Sequence, residues 1–256
     1  MTPSEYLETV LWKYFVQTGN GSPAWITGNA IAPVIKNWAG TQLRDLAFSG
    51  SSAKGTPVKG TTDVDLFISL KSDTLDSHTL KEVFDKLHVH FVANGYPAAR
   101  KQNVSIHITH NGLDVDLVPA VHYGNASGDH WLYVNKSNKE RIQTNIDKHI
   151  SLVSSSGRIK EIKLAKIWRQ NHGFDFPSFY LELAVIEALK YARADLAANF
   201  MGVLGYFANG FSTSRFVDPA NTNNIISDTL TLNEKKAISA QASKSKNEQN
   251  WGQIVW

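Results

Sequence analysis

The spacing of apolar residues along the sequence differs between the two halves of the chain. In the first half, helical segments are followed by short runs that are continuously apolar or alternate between apolar and polar residues, which is typical of strands. From about residue 139 onward, apolar positions recur at helical spacing and the strand signals nearly disappear. The pattern predicts an N-terminal α+β part and a C-terminal helical part.

The helical segments have recognisable starts and breaks. Thr2 or Ser4 is a suitable N-cap with Pro3 in the first turn, while Pro33 and Gly40 are expected to divide the second segment. The predicted helices cover residues 3–16, 27–46, 79–94, 139–150, 158–171, 178–197 and 233–245.

Strands are predicted at residues 46–48, 64–70, 104–108 and 113–118. The last two flank Asn111-Gly112, the preferred two-residue turn of a β-hairpin. The N-terminal sheet therefore contains an antiparallel element.

Four aspartates fall within or beside these strands. Asp63 and Asp65 are two positions apart, so their side chains point to the same face at the start of the strand 64–70. Asp114 and Asp116 have the same relationship just after the hairpin turn. Carboxylates that are crowded together repel each other unless a cation neutralises them, and oxygen ligands favour magnesium or manganese. The residues alone leave open whether Asp114 or Asp116 is the third metal ligand.

A Gly-Ser turn precedes the first aspartate pair. Gly50-Ser51 offers a close backbone approach, N–H donors and a hydroxyl to a phosphate, and Lys54 in the same loop adds positive charge. We predict a phosphate-binding turn next to the carboxylates.

Composition narrows the function classes. The 256 residues include no cysteine, which excludes disulfides, thiolate zinc sites and cysteine nucleophiles. The net charge of +3 favours phosphate-bearing partners only slightly, and no substantial basic tract for RNA is present. No apolar run approaches the ~20 residues of a membrane span, and the N-terminus lacks the features of a signal peptide. A cytoplasmic protein without a membrane association is expected.

These motifs resemble a known superfamily. Gly50-Ser51, followed by Asp63-Val64-Asp65-Leu66 and by the string at 113–120, is similar to the signature of DNA polymerase β-like nucleotidyltransferases. The chain resembles in particular the branch with CD-NTases, 2′-5′-oligoadenylate synthetases, cyclic GMP-AMP synthase and archaeal CCA-adding enzymes. The Val-Asp-Leu-Val-Pro match in this branch selects Asp116 over Asp114. The resemblance thus implies catalytic, metal-binding roles for Asp63, Asp65 and Asp116.

The C-terminal half carries further matches. The resemblance assigns Lys166 and Ser178 to the donor triphosphate, and Asp218 and Asn224 to a loop beside the nucleotide. The terminal string 251–256 also resembles the family. The nucleotide-binding set implied by the resemblance is Gly50, Ser51, Lys54, Lys166, Ser178, Asp218 and Asn224.

The resemblance also implies an architecture. It predicts a bilobed α+β protein with a catalytic lobe over residues 1–138, which includes the helix 3–16, and a helical nucleotide-clamping lobe over residues 139–256. The catalytic lobe would hold a mixed or antiparallel sheet with helices packed on it, and the active site would lie in the cleft between the lobes.

The function implied is transfer of a nucleoside monophosphate from an NTP, ATP or GTP, to a hydroxyl with release of pyrophosphate. Two Mg²⁺ ions, replaceable by Mn²⁺, would be the cofactors. The main hypothesis is a synthase of a cyclic or linear oligonucleotide messenger in antiviral defence, with an activating ligand or partner protein. The alternatives are nucleotide addition to an RNA 3′ end or to a protein, and a catalytically silent nucleotide-binding module.

Overall fold

The protein was analysed as a computed structural model that describes residues 1–60, 63–135 and 141–256. The described residues form two compact units. The sheet unit is drawn from residues 17–55 and 62–150, and the helical unit is drawn from residues 1–16, 56–61 and 151–256. The predicted boundary between residues 138 and 139 lies outside the described residues. The division into lobes with a cleft between them therefore stays a prediction.

The secondary structure comprises longer helices, several single-turn helices and mostly short strands. The helices are α1 (Pro3–Lys13), α2 (Pro23–Ala39), α3 (Gly50–Lys54), α4 (Thr74–Ser77), α5 (Leu80–Ala93), α6 (Ile146–Ser154), α7 (Ile159–Asn171), α8 (Ser178–Ala188), α9 (Leu196–Asn209), α10 (Leu232–Lys246) and α11 (Trp251–Ile254). The strands are β1 (Leu43–Phe48), β2 (Val64–Leu70), β3 (Arg100–Lys101), β4 (Ile106–His110), β5 (Leu113–His122), β6 (His130–Tyr133), β7 (Arg141–Thr144), β8 (Val217–Asp218) and β9 (Asn221–Ile225).

The seven-stranded sheet of the described residues is mixed. Its order is β1-β2-β5-β4-β3, and β6 pairs with the second half of β5 and with β7. The pair β2–β5 is parallel, whereas the pairs β1–β2 and β4–β5 are antiparallel. This arrangement confirms the predicted α+β class and the mixed sheet.

The two faces of β2 differ in chemistry because successive side chains point to opposite faces. Val64, Leu66, Ile68 and Leu70 are buried in a core with apolar side chains of α2 and α5. The odd-numbered positions of β2 face the other way: Asp65 lies at the start of the strand, whereas Phe67 is buried in a small apolar cluster with Ala120 and Leu132. Both faces therefore contribute to the core, and the edge of the second face around Asp65, which we call the polar face, carries polar side chains.

The predicted hairpin forms as expected. Asn111 and Gly112 both adopt positive φ, 50° and 79°, which is the conformation of a type I′ turn. The turn fixes the register of β4 against β5, and His110 is paired with Leu113.

The helical unit has its own apolar core. Leu7 and Val10 of α1 are buried in it together with Trp168, Phe200 and other large side chains of α7 to α9. Thr2 starts α1 with a complete capping box to Glu5. Val58 is buried in the same core, which explains why the short segment around it belongs to this unit.

Three helix predictions are wrong in part. The helix predicted over 27–46 continues through Pro33 but ends at Ala39, and residues 43–46 belong to β1, which pairs with β2. Residues 141–144 form β7 rather than the start of a helix, because they pair with β6 at the edge of the sheet. The helix predicted over 178–197 ends at Ala188, and Asp195 caps a new helix by accepting a hydrogen bond from the Ala198 N–H. Among the described residues, no helix combines the length and apolar character that crossing a membrane requires.

Candidate active site

The Gly-Ser turn lies directly against an aspartate of β2. β1 ends at Phe48, and the Ser49 N–H donates a hydrogen bond of 2.9 Å to the Asp65 carbonyl. Gly50 then opens α3 with φ of 59°, and a Cβ atom at this position would meet Oδ2 of Asp65 at 1.7 Å. Only glycine lets the backbone approach this carboxylate so closely.

The predicted phosphate-binding residues of this turn share one short helix. Gly50, Ser51 and Lys54 all lie in α3, where the sequence predicted an irregular loop. Ser51 is partly exposed, whereas Lys54 is buried. The turn thus presents backbone and hydroxyl groups beside Asp65.

Parallel pairing brings two of the predicted carboxylates to adjacent strands. Asp65 of β2 is the direct partner of Asp116 of β5. Paired residues point to the same side of a sheet, so these two side chains share the polar face. Asp63 lies two positions before Asp65, next to the start of β2, and is exposed. The three predicted acids therefore cluster at one edge of the polar face.

A histidine that the sequence interpretation left without a role lies in this cluster. The buried side chain of His107 places Nδ1 3.1 Å from Asp116 Oδ1 and Nε2 3.2 Å from Asp114 Oδ1. A neutral imidazole has one N–H, so both contacts are hydrogen bonds only when the ring is protonated. The Asn111-Gly112 turn could have revealed this contact, since a two-residue hairpin places position 107 opposite position 116.

The same histidine distinguishes the two candidate aspartates. The Asp114 side chain is 54% exposed, whereas the Asp116 side chain is 17% exposed. Thr109 also donates a hydrogen bond of 3.1 Å to Asp114. Asp116 is therefore the inner carboxylate, and Asp114 lies at the rim.

The cluster is electrostatically unfavourable without a cation. Although Asp63 is exposed at the surface, partial desolvation beside the sheet raises its pKa, and repulsion from Asp116 and Asp114 raises it further. Burial also raises the pKa of Asp116, against the opposing effects of His107 and Arg100. Because a nearby positive charge would relieve both effects, the residues present fit a hard divalent cation. In the described part of the chain, no three acidic or histidine side chains converge enough to enclose an ion by themselves.

Lys166 occupies a different environment from the one predicted. It is buried in α7, where Nζ donates to Glu182 Oε1 at 2.7 Å and to the Thr56 hydroxyl at 2.9 Å. Thr56 in turn donates to Glu182 Oε1 at 2.9 Å. The ammonium group is thus held by partners within the helical unit, and its contact with a triphosphate stays a prediction.

The other predicted residues of the helical unit lie at element ends. Ser178 begins α8 but does not cap it; its hydroxyl instead accepts a hydrogen bond of 3.1 Å from Arg169. Asp218, the last residue of β8, is buried, and it accepts hydrogen bonds from the Ala220 N–H and the Asn224 side chain. Asp218 and Asn224 therefore fix their own hairpin, and a contact with nucleotide stays a prediction for all three residues.

Comparisons with known proteins show which proteins this chain is similar to. No protein-family model matches the chain. Over 163 residues the chain is 26% identical to the cyclic AMP-AMP-AMP synthase of Escherichia coli strain MS 115-1, and the match covers 57% of this chain. The matched segment spans only 50% of that relative's length.

The similarity to solved structures extends over nearly the whole chain. The E. coli MS115-1 CdnC protein, solved with ATP and also in a complex with HORMA-deltaN, has a TM-score of 0.74 at 19% identity. This match covers 98% of our chain and 96% of that chain. The Bradyrhizobium diazoefficiens CD-NTase CdnG with GTP has a TM-score of 0.71 at 10% identity, with coverage of 96% and 90%. The chain therefore has the CD-NTase fold, and its predicted resemblance to these nucleotidyltransferases is confirmed.

Proposed function

We propose that this chain, whose fold is that of the CD-NTases, transfers a nucleoside monophosphate from an NTP to a hydroxyl and releases pyrophosphate. One observation carries the proposal: the parallel pair Asp65–Asp116 lies on the polar face of the sheet, with the Gly50 turn packed on the Asp65 carboxylate. This arrangement places carboxylates and a phosphate-binding backbone turn at the same edge.

The carboxylates would hold two Mg²⁺ ions. Asp63 and Asp65 would bind both ions, and Asp116 would bind the catalytic one. When bound, the ions neutralise phosphate charge and lower the pKa of the attacking hydroxyl. Mg²⁺ typically takes one or two carboxylates together with phosphate oxygens of the substrate, which fits a set of acids that does not enclose an ion alone.

The residues of the chain orient the two reactants. Backbone N–H groups at Gly50 and Ser51 would bind the donor phosphates beside Asp65, and Ser178 and Lys166 would extend this contact to the β- and γ-phosphates. Asp116 would orient the acceptor hydroxyl and receive its proton, a role supported by its position as the inner carboxylate paired with Asp65. His107 would hold the Asp116 carboxylate in place.

The product is proposed from the relatives. One relative is a cyclic AMP-AMP-AMP synthase, and the CdnC and CdnG structures contain ATP and GTP respectively. We therefore propose that the chain uses ATP or GTP to build a cyclic or linear oligonucleotide messenger in antiviral defence. Since the E. coli CdnC protein was solved with HORMA-deltaN, a protein partner that activates this chain is part of the proposal.

Incubation with each NTP and with NTP pairs, in Mg²⁺ or Mn²⁺, tests the proposal. We expect pyrophosphate release and short phosphatase-resistant oligonucleotides in chromatography. A double Asp65→Asn, Asp116→Asn variant is the negative control. Products that form only when RNA or protein is added would favour the RNA or protein alternatives, and pyrophosphate release that persists in the double variant would overturn the site.

A further inference from the structure

A row of four side chains crosses the polar face of the sheet. The strand pairing places Asp65 beside Asp116, Asp116 beside His107, and His107 beside Arg100. Directly paired residues point to the same side, so the row runs from β2 through β5 and β4 to β3. It begins with two carboxylates and ends with a guanidinium group at the edge of the sheet.

Arg100 has no structural partner in the ranges that the structure describes. Its side chain is exposed, and the described residues give it neither a hydrogen bond nor an ion pair. The next residue, Lys101, points to the opposite face and forms an ion pair of 2.6 Å with Asp85. Lys101 therefore has a structural role on this edge strand, whereas Arg100 forms no ion pair with the described residues.

The two ends of this row of side chains lie near different parts of the proposed reaction. The Gly50 turn, where the donor phosphates are proposed to bind, packs on Asp65 at the β2 end. Arg100 lies at the other end, two strands beyond Asp116, which corresponds to about 10 Å at the usual strand spacing. The positive charge of Arg100 therefore lies on the side of the attacking acceptor in the proposed reaction, away from the leaving pyrophosphate of the donor.

The electrostatics agree with this placement. Arg100 lowers the pKa of both Asp63 and Asp116, so its charge acts on the carboxylate cluster. Arginine is also the residue best suited to bind phosphate, because its planar group donates two parallel hydrogen bonds.

We propose that Arg100 binds a phosphate group of the acceptor nucleotide and is the residue that sets the preference for a phosphorylated acceptor over the corresponding nucleoside. This inference rests on the proposed function. In the reaction, the acceptor hydroxyl oxygen forms a bond to the donor α-phosphorus while the bond from that phosphorus to the bridging oxygen breaks. Pyrophosphate leaves, and the hydroxyl proton passes to Asp116. Arg100 takes no part in these bonds; it determines which acceptor is held in place.

An acceptor competition separates this role from an effect on the donor. Labelled ATP serves as donor, and the acceptor is either an α,β-methylene nucleoside triphosphate, which cannot donate, or the corresponding nucleoside. We expect the wild type to prefer the triphosphate acceptor. Arg100→Ala should reduce this preference by about 10- to 100-fold through a higher acceptor KM, with an unchanged donor KM. Arg100→Lys should recover part of the preference, because it restores the charge without the two parallel donors.

Lys101→Ala is the matched control, since it removes a neighbouring charge from the same edge strand. It should keep the wild-type acceptor preference. If Arg100→Ala keeps that preference, or if both KM values rise together, the inference is wrong while the proposed function stands. If the wild type neither binds an NTP nor transfers to either acceptor, the proposed function fails. If it binds NTP without transfer, equilibrium binding of the methylene analogue with Mg²⁺ decides on Arg100. Equal affinity of the wild type and Arg100→Ala in that measurement would overturn the inference.

Discussion

Gly50 and Asp65 are in contact across the end of β1 and the start of β2, so that a methyl group on Gly50 would meet the Asp65 carboxylate at 1.7 Å. The carboxylate therefore packs directly against the backbone at Gly50. Glycine at position 50 is therefore required to keep Asp65, a proposed metal ligand, in its position.

We expect Gly50→Ala to displace Asp65 and to reduce nucleotidyl transfer by at least about 100-fold, in the range seen when a preorganised electrostatic group is lost. Gly55→Ala is the control. Gly55 also has positive φ, 75°, but nothing lies within 4 Å of an added Cβ. Both variants share a backbone strain of about 1–2 kcal/mol, whereas only the first has the clash. Pyrophosphate release and thermal unfolding of both variants measure the two effects, and similar activity in both would contradict the interpretation.

Asp116→Asn should lower kcat by about 10²–10⁴-fold, because it removes the group proposed to accept the proton. Binding of the NTP should be largely kept, since the donor phosphates are held on the β2 side. Asp114→Asn, on the same strand face but at the exposed rim, should cost less than tenfold of kcat. If steady-state kinetics show a larger loss of kcat for Asp114→Asn than for Asp116→Asn, the proton is accepted by Asp114 instead.

Breaking the buried pair Lys166–Glu182 should destabilise the helical unit. Removing one partner of a buried ion pair typically costs about 3–5 kcal/mol, because the remaining charge stays buried. Lys166→Ala and Glu182→Ala should each show this loss in denaturant unfolding, and the double change to Met and Leu should recover most of it. The exposed pair Lys160–Glu8 is the control, for which Lys160→Ala should cost less than about 1 kcal/mol.

This series also tests the predicted phosphate contact of Lys166. If the lysine leaves Glu182 to bind the triphosphate, Lys166→Ala should raise the donor KM in addition to lowering the free energy of unfolding. A loss of stability with an unchanged donor KM would support a purely structural role of the buried pair described above.

Stability should fall as the pH decreases from 6.5 to 4. Burial lowers the pKa of His130 from 6.5 to about 4, with further lowering by His122 and Arg44, while the hydrogen bond to the Gly128 carbonyl and the charge of Asp147 oppose the shift. Between these pH values the unfolded chain binds a proton at His130 and the folded chain does not, so the free energy of unfolding decreases with decreasing pH. The expected contribution is on the order of 3 kcal/mol.

His130→Gln isolates this contribution because glutamine stays polar and does not titrate. Denaturant unfolding at a series of pH values should show a weaker pH dependence in the variant. His78→Gln, at a partly exposed position, controls for the loss of an imidazole as such. An unchanged pH dependence in His130→Gln would exclude His130 as the source.

The local patterns predicted the elements that carry the aspartates. The strand 64–70 and the hairpin turn at 111–112 were predicted correctly, because burial of alternate side chains and turn chemistry act over a few residues. The parallel pairing of β2 with β5 was not predicted, since it depends on tertiary contacts between distant segments. The same reason explains β7, which the helical pattern concealed.

The sequence predicted more of the candidate site in the sheet unit than in the helical unit. Asp65 and Asp116 form the expected pair, but the contacts of His107 require the hairpin register, which was not used. The resemblance assigned Lys166 to the donor triphosphate, yet the side chain is buried with Glu182. A sequence motif does not reveal whether a charged side chain is satisfied by solvent, substrate or a buried partner.

The mixed sheet has a consequence for folding. The β4–β5 hairpin joins neighbouring residues through a two-residue turn, so it closes at a small entropic cost and can form early. The parallel pair β2–β5 joins segments separated by α4, α5 and the hairpin itself, so its loop must close before Asp65 meets Asp116. Asp116 and His107 therefore meet on a local timescale, whereas the complete carboxylate pair is among the late contacts of the folding chain.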